Sequence, residues 1–339
     1  MNTSLQNAFL GSLIADAVAL PVHWYYNTQA LDRDYGSLKG YIKPKSSHPD
    51  SILWRSHYKS RNKTGEILHD QAKFWGRREV HYHQFLEAGD NTINYLLAIQ
   101  LYRSTIRSGC YNPEAWLNLY IKLMQTPGWH LDTYLEEYHR AFFDRLASGK
   151  PPFQCGIDDI HIGGLSAVPA LIAAIDTLEG ETPTPYIDEE IIRQHVALTH
   201  KNREVDCAAL AMTRILLSIA RGATLRDSIL EHANGWIGKK RLERMAGLED
   251  RQIIGQYHSP ACYLPESFTA SLCLAWKYSG DLSEGILANA RCGGDSCHRG
   301  AVVGSLLGAA APYIPVYWLK NLKSMERLRS DTLGSIYHD

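Results

Sequence analysis

The chain has 339 residues, with 35 Lys and Arg against 36 Asp and Glu and a formal charge of −1. That balance gives no pull toward nucleic acid or an anionic membrane surface, so neither is expected as a partner. The length admits one large domain or two, and the composition is that of an ordinary globular protein.

In chain order, Ser4 is placed to cap a helix whose inner face carries Leu5, Phe9, Leu13 and Ala17, with Gly11 and Ala15 as small contact residues and Pro21 as its stop. No Lys or Arg precedes this apolar run and Asp16 interrupts it, so it reads as a folded helix rather than an export signal. A polar, loop-rich region extends from 27 to about 76, with Arg55, Lys59, Arg61, Lys63, Lys73, Arg77 and Arg78 on a solvated face. Helical patterns resume at 92–107, 113–124 and 131–146. The apolar run 162–175 predicts a central helix, with Pro169 as a kink or local start. Further helices fit 189–199, 204–220, 225–236, 266–278 and 282–292.

Residues 301–319 carry no formal charge, yet Pro312 and Pro315 break them. Gly300, Gly304 and Gly308 recur every four residues, which predicts close approach to a neighbouring helix rather than a membrane span. Little reads as strand, and no repeat or linker divides the chain. One all-α domain over 1–339 is the expected architecture. The seven cysteines, an odd number, are expected as free thiols in a reducing cytosol, which gives a cytoplasmic location.

The string GGDSCHRG, 293–300, leads into that last helix. Gly293 and Gly294 open unusual backbone conformations, Asp295 is a good N-cap, and Cys297 and His298 fall where the helix dipole is most positive. A thiol there is expected to be acidified, or the same amides to hold a phosphate. A plain capped helix with Cys297 as a small buried hydrophobe is the competing reading. His81 and His83 in HYHQ read as surface residues, and Asp158, Asp159 and His161 as caps bordering a pocket floor.

Three further segments extend the pattern: GSLIADAVALPVHW at 11–24, AGDNTINYLLA at 88–98 and PESFTASLCLAW at 265–276. In this order, over most of the chain, they resemble the ADP-ribosylglycohydrolase family, whose motifs read close to GDALGAPVE, TDDT and GGDTDT. The resemblance implies an all-helical fold, a binuclear magnesium site and hydrolysis of an ADP-ribosyl bond to a protein side chain or related acceptor. It also implies metal-ligand positions for Asp90 and Asp295.

The departures are specific. Gly89 and Asn91 replace the Thr and second Asp of TDDT, Cys297 and His298 replace the second Asp and the Thr after it in GGDTDT, and His23 stands for the Glu ending the first motif. This pattern is similar to a divergent branch containing selenoprotein J and the jellyfish J-type lens crystallins. Exchanging carboxylates for amide, thiol and imidazole weakens a magnesium site, so one softer ion such as zinc, or none, is expected.

The resulting expectation is a hydrolase cleaving a glycosidic bond of an ADP-ribosyl group or related nucleotide-sugar, free or on a protein. Its altered cleft would comprise Asp16, His23, Asp90, Asn91, Asp295, Cys297 and His298. Asp90 and Asp295 would be the catalytic carboxylates and His23 the proton donor, with Asn91, Gly293, Gly294, Cys297 and His298 binding substrate. Some of Arg55 to Arg78 would meet a pyrophosphate. A non-catalytic ADP-ribose-binding or crystallin-like structural protein, and a thiol enzyme using Cys297, are the alternatives.

Overall fold

The computed structural model describes residues 1–45, 47–180 and 185–329; the remainder of the expected 1–339 domain lies outside the described residues. Helices dominate, and among the described residues β pairing is confined to four isolated bridges.

The N-terminal helix, Thr3–Ala19, is capped by Asn2, whose side chain accepts from Ser4 N, not by Ser4 itself. Asn2 can do this because its backbone is extended and its carboxamide reaches two residues on. The helix runs through the centre of the domain against Ser296–Ala310. Small residues set that contact: a Cβ on Gly304 would stand 2.6 Å from Ala15 Cβ and collide with Gly11 O. Gly300 faces Ala15 and Gly308 faces Asn7, so the four-residue glycine spacing is used along the whole seam.

Thr3–Val22 and Ile162–Glu179 are long and apolar enough to cross a bilayer, but the first is wholly buried within the domain and the second mostly so. The run from 162 begins as a 3-10 turn, Ile162–Leu165, and restarts as Val168–Glu179 with Pro169 in its first turn. Some helix boundaries differ from expectation. Residues 131–136 are not helical; Glu137–Ala147 starts only after Glu136, because Asp132 and Glu136 are turned toward the domain interior. The helix from 225 ends at His232, and Lys239–Ala246 and Asp250–Ile253 form two short helices that their polar composition hid. All seven cysteines are free thiols.

Candidate functional site

Three chain segments converge at the C-terminal end of the first helix. After the turn Leu20–Val22 the chain presents His23 and then Trp24, which has φ 63°, a left-handed conformation uncommon for a bulky residue. It is held there by reciprocal hydrogen bonds: Trp24 N donates to Gly294 O at 2.7 Å, and Gly294 N donates to Tyr25 O at 2.7 Å. Gly293 and Gly294 have φ of 64° and 61°, and a Cβ on either would collide with Tyr25 O or Pro260 O. The double glycine therefore clamps the His23 loop onto the start of Ser296–Ala310. Asp295 caps that helix through its side chain, accepting from His298 N at 3.3 Å.

The buried polar groups form one continuous series. Asp295 Oδ1 lies 2.6 Å from His298 Nδ1 and 3.1 Å from His23 Nε2. His298 Nε2 lies 3.1 Å from Glu136 Oε1 and 3.0 Å from Asn94 Nδ2, so each ring nitrogen of His298 has a carboxylate beside it, Nε2 sharing its side with the Asn94 amide. That arrangement makes His298 an imidazolium, with its pKa raised to about 10 by Asp295 and Glu136 against the cost of burial. In return, His298 holds both carboxyls below their usual range although burial opposes it. Asn94 accepts from Tyr138 OH and His139 Nε2 at its carbonyl, which aims its amide at Glu136 Oε1 at 3.0 Å. On the other side, His23 Nδ1 meets His83 Nε2 at 2.8 Å, and His83 Nδ1 meets Asp132 Oδ1 at 2.7 Å. Desolvation keeps His23, His83 and His161 neutral, each with a pKa near 4.

A cleft of about 370 Å³ opens against this series. Its aromatic walls are Trp24, Tyr26, Tyr82, Tyr134 and Tyr263, and its polar lining is Glu136, Glu137, Asp158, Asp159, His161 and Cys262. Trp24 stacks on His23 with centroids 3.8 Å apart. Two carboxyls on the cleft are pushed in opposite directions: His298 keeps Glu136 ionised, whereas burial raises Asp159. Glu136 Oε2 and Asp295 Oδ2 are buried acceptors with no hydrogen-bond partner. A second groove of about 240 Å³ shares Glu137 with the cleft and carries His57, Lys59, Arg61 and Arg140.

The donor set does not fit a binuclear magnesium site. Two triads, His23–Asp295–His298 and His161–Cys262–Asp295, bring donor atoms within 4.8 Å of one another, each with a single carboxylate. Magnesium requires near-octahedral oxygen coordination, which imidazole and thiol do not supply. A softer divalent ion meets a different obstacle. In the first triad both imidazoles already use their N–H groups on Asp295 Oδ1. In the second, His161 Nδ1 accepts from Gly163 N at 2.8 Å, so the neutral ring carries its proton on Nε2, the nitrogen that would bind. Either triad takes an ion only after losing protons it now uses.

Of the residues singled out from sequence, the structure joins His23, Asp295 and His298. Asp90 is elsewhere: its carboxylate accepts from Glu87 N at 2.7 Å and Lys323 Nζ at 3.2 Å, and no hydrogen bond or ion pair among the described residues ties it to Asp295. Asn91 donates to Leu13 O and, with Thr92, to Asp16, whose carboxyl caps Ile93–Ser108 from the neighbouring helix and has a pKa raised by burial to about 6. The amides of Gly293, Gly294 and Asp295 donate to Ala290 O, Tyr25 O and Pro260 O, so they are not free to hold a phosphate as their position suggested. Cys297 is fully buried with Sγ 3.6 Å from Asp16 O, and burial drives its pKa far above the free value, the reverse of an acidified thiol. His81 and His83 are buried, not surface residues: His81 Nε2 donates to Pro21 O, and His83 joins the Asp132 series. Sequence reasoning missed Asp132 and Glu136 because it read both into a helix. The signal available was the run of acids in 132–137 beside a chain with 15 histidines.

Comparison with known proteins agrees with this architecture. A family model described as ADP-ribosylglycohydrolase matches residues 3–338. Among solved structures, the chain is similar to one titled "ADP-ribosylglycohydrolase-related protein complex", at 20% identity, covering 97% of this chain and 95% of that one with a TM-score of 0.58. No curated protein matches the sequence.

Proposed function

The chain belongs to the ADP-ribosylglycohydrolase family, and we propose that its aromatic cleft hydrolyses a glycosidic bond of an ADP-ribosyl group or related nucleotide-sugar without the binuclear magnesium centre. The observation that carries this reading is the pair of cleft carboxyls with opposite shifts, Glu136 kept ionised and Asp159 raised. Glycoside hydrolysis needs one carboxylate to stabilise an oxocarbenium-like transition state or activate water, and one protonated acid for the leaving group. Glu136 takes the first role and Asp159 the second. Asp295 and His23, expected to act directly, stand one layer behind, and Asp295 together with Glu136 holds His298 in its charged state. Asp90 has no part in the bond-breaking step. The sugar end enters the cleft, whose lining contains no Lys or Arg, while phosphates lie toward the groove of Lys59, Arg61 and Arg140.

The test is release of ADP-ribose from peptides modified on Arg or Ser, followed chromatographically with and without chelator. We expect chelator-insensitive release that falls at least about 100-fold in Glu136→Gln, the loss typical of removing a principal catalytic group. Absence of release under every metal condition refutes the hydrolase. A second reading is favoured by the near-complete burial of Asp295 and His298: a non-catalytic ADP-ribose binder or crystallin-like structural protein. The replacements His23, Asn91, Cys297 and His298 support a place in the branch resembling selenoprotein J and the J-type lens crystallins. Calorimetry with ADP-ribose separates a binder from a purely structural protein.

A further inference from the structure

Asp132 is completely buried and lies on no helix. Its Oδ1 is 2.7 Å from His83 Nδ1, and its Oδ2 has no partner. From there the contacts run in series, His83 Nε2 to His23 Nδ1 at 2.8 Å and His23 Nε2 to Asp295 Oδ1 at 3.1 Å. The planes of His23 and His83 differ by 1°. Parallel rings whose nitrogens approach this closely meet edge to edge, because face-to-face stacking would hold those atoms farther apart. The lone pair of one ring and the N–H of the other therefore share a plane, as a good hydrogen bond requires.

Four groups joined by three links need three protons, one per link. Only two orders are consistent with neutral imidazoles. In the first, Asp132 O–H donates to His83 Nδ1, His83 Nε2–H to His23 Nδ1, and His23 Nε2–H to ionised Asp295. In the second every donor is reversed: Asp295 O–H donates to His23 Nε2, His23 Nδ1–H to His83 Nε2, and His83 Nδ1–H to ionised Asp132. Mixed orders leave two lone pairs or two protons facing each other across a buried contact, which is costly. The imidazolium of His298, 2.6 Å from Asp295, selects the first order by stabilising negative charge on that carboxylate.

We propose that Asp132, His83 and His23 are a proton relay that sets, and can exchange, the protonation of Asp295 without solvent. Passage from the first order to the second moves three protons one link each. Asp132 O–H, His83 Nε2–H and His23 Nε2–H break, and His83 Nδ1–H, His23 Nδ1–H and Asp295 O–H form. The network keeps three protons and one negative charge throughout; only the charge travels, from Asp295 to Asp132. Asp132 is thus a positioning residue and proton reserve. Burial raises its carboxyl pKa to about 8, which agrees with the neutral form the first order requires. Asp295 Oδ2 lies 3.5 Å from His161 Nε2, and His161 lines the cleft, so the exchange switches a charge directly behind the site. The proposal is independent of bond cleavage and is tested on ligand-free protein.

Long-range ¹H–¹⁵N correlation of histidine-labelled protein at pH 7 reads the tautomers. His23 and His83 are expected as Nε2–H forms, with an infrared band of a buried neutral carboxyl that disappears in Asp132→Asn. Removing the cation in His298→Gln is expected to reverse both tautomers to Nδ1–H, an outcome that a static structural network does not produce. Unchanged tautomers in folded His298→Gln overturn the relay. If that variant does not fold, the wild-type and Asp132→Asn spectra decide: an Nδ1–H form of His83 in the wild type, or a wild-type minus Asp132→Asn difference spectrum that shows no lost carboxyl band, overturns it equally.

Discussion

Lowering the pH is expected to unfold this protein well before its carboxylates protonate. His23, His48, His83, His139, His161 and His195 are buried and neutral, with pKa values depressed by desolvation from 6.5 to about 4. The folded state refuses protons that the unfolded chain accepts, so their contribution to stability is complete above pH 6.5 and is lost as pH falls toward 4. Between pH 7 and 5.5 the linkage integral is about 1.2 kcal/mol per histidine, or about 7 kcal/mol for the group. That is comparable to the whole stability of a typical domain, roughly 5–15 kcal/mol. Asp295 and Glu136 do not offset it, because their depressed pKa values contribute a constant amount until pH falls below the unfolded carboxylate range. Asp16 and Asp132, with pKa values raised to about 6 and about 8, bind protons more tightly when folded and offset about 3 kcal/mol of the loss, leaving about 4 kcal/mol. On the alkaline side His298 has the opposite sign: its contribution is complete below 6.5 and falls by about 1.4 kcal/mol per unit as pH rises toward 10. Stability should therefore peak near pH 7. Urea unfolding followed by circular dichroism at half-unit steps from pH 5 to 9 measures both limbs. A free energy flat within about 1 kcal/mol from pH 7 to 5.5 would refute the buried-neutral assignment of these rings.

Asp295→Asn leaves the His298 imidazolium without its nearest counter-charge and is expected to cost about 3–5 kcal/mol in urea unfolding and to lower the His298 pKa, read by NMR titration. Asp90→Asn, at a half-buried loop pair with Lys323, should cost less than about 1 kcal/mol and leave any hydrolytic rate unchanged. Gly304→Ala inserts a methyl between the two central helices and should destabilise by about 1–3 kcal/mol or more, shown by a lower urea midpoint. Thiol labelling under native conditions should modify the exposed Cys110 and Cys207 first, with Cys297 protected until the protein unfolds; early labelling of Cys297 would contradict its burial.

The sequence made the scaffold legible where one residue type has one physical use. Gly300, Gly304 and Gly308 at four-residue spacing point to a backbone seam, and Gly11 and Ala15 supply its other side. Gly293 and Gly294 likewise predict an unusual backbone conformation and Asp295 a cap, both of which form. The site was less legible because its chemistry depends on which polar groups are dehydrated together. A histidine alternating with its neighbour, as in HYHQ, looks the same at a surface or in a core. His83 is in the core because Asp132 and His23 satisfy both of its nitrogens. Asp90, a carboxylate at a matching motif position, pairs with Lys323 rather than with the Asp295 series, a partner that its sequence neighbourhood does not reveal.

The residues whose donor atoms do not fit a magnesium site supply a positive charge of their own. A cation-binding cluster of carboxylates cannot be emptied in place, since uncompensated buried anions repel one another and would take up protons. Here a protonated imidazole stands between two carboxylates near the cleft, with Nδ1 on Asp295 and Nε2 on Glu136. His298 thus carries an intrinsic positive charge, and its second carboxylate, Glu136, comes from a segment outside the metal motifs. The imidazolium cannot provide the open coordination positions of a metal ion. It can keep Glu136 ionised, which is the property that acid–base hydrolysis asks of that carboxylate.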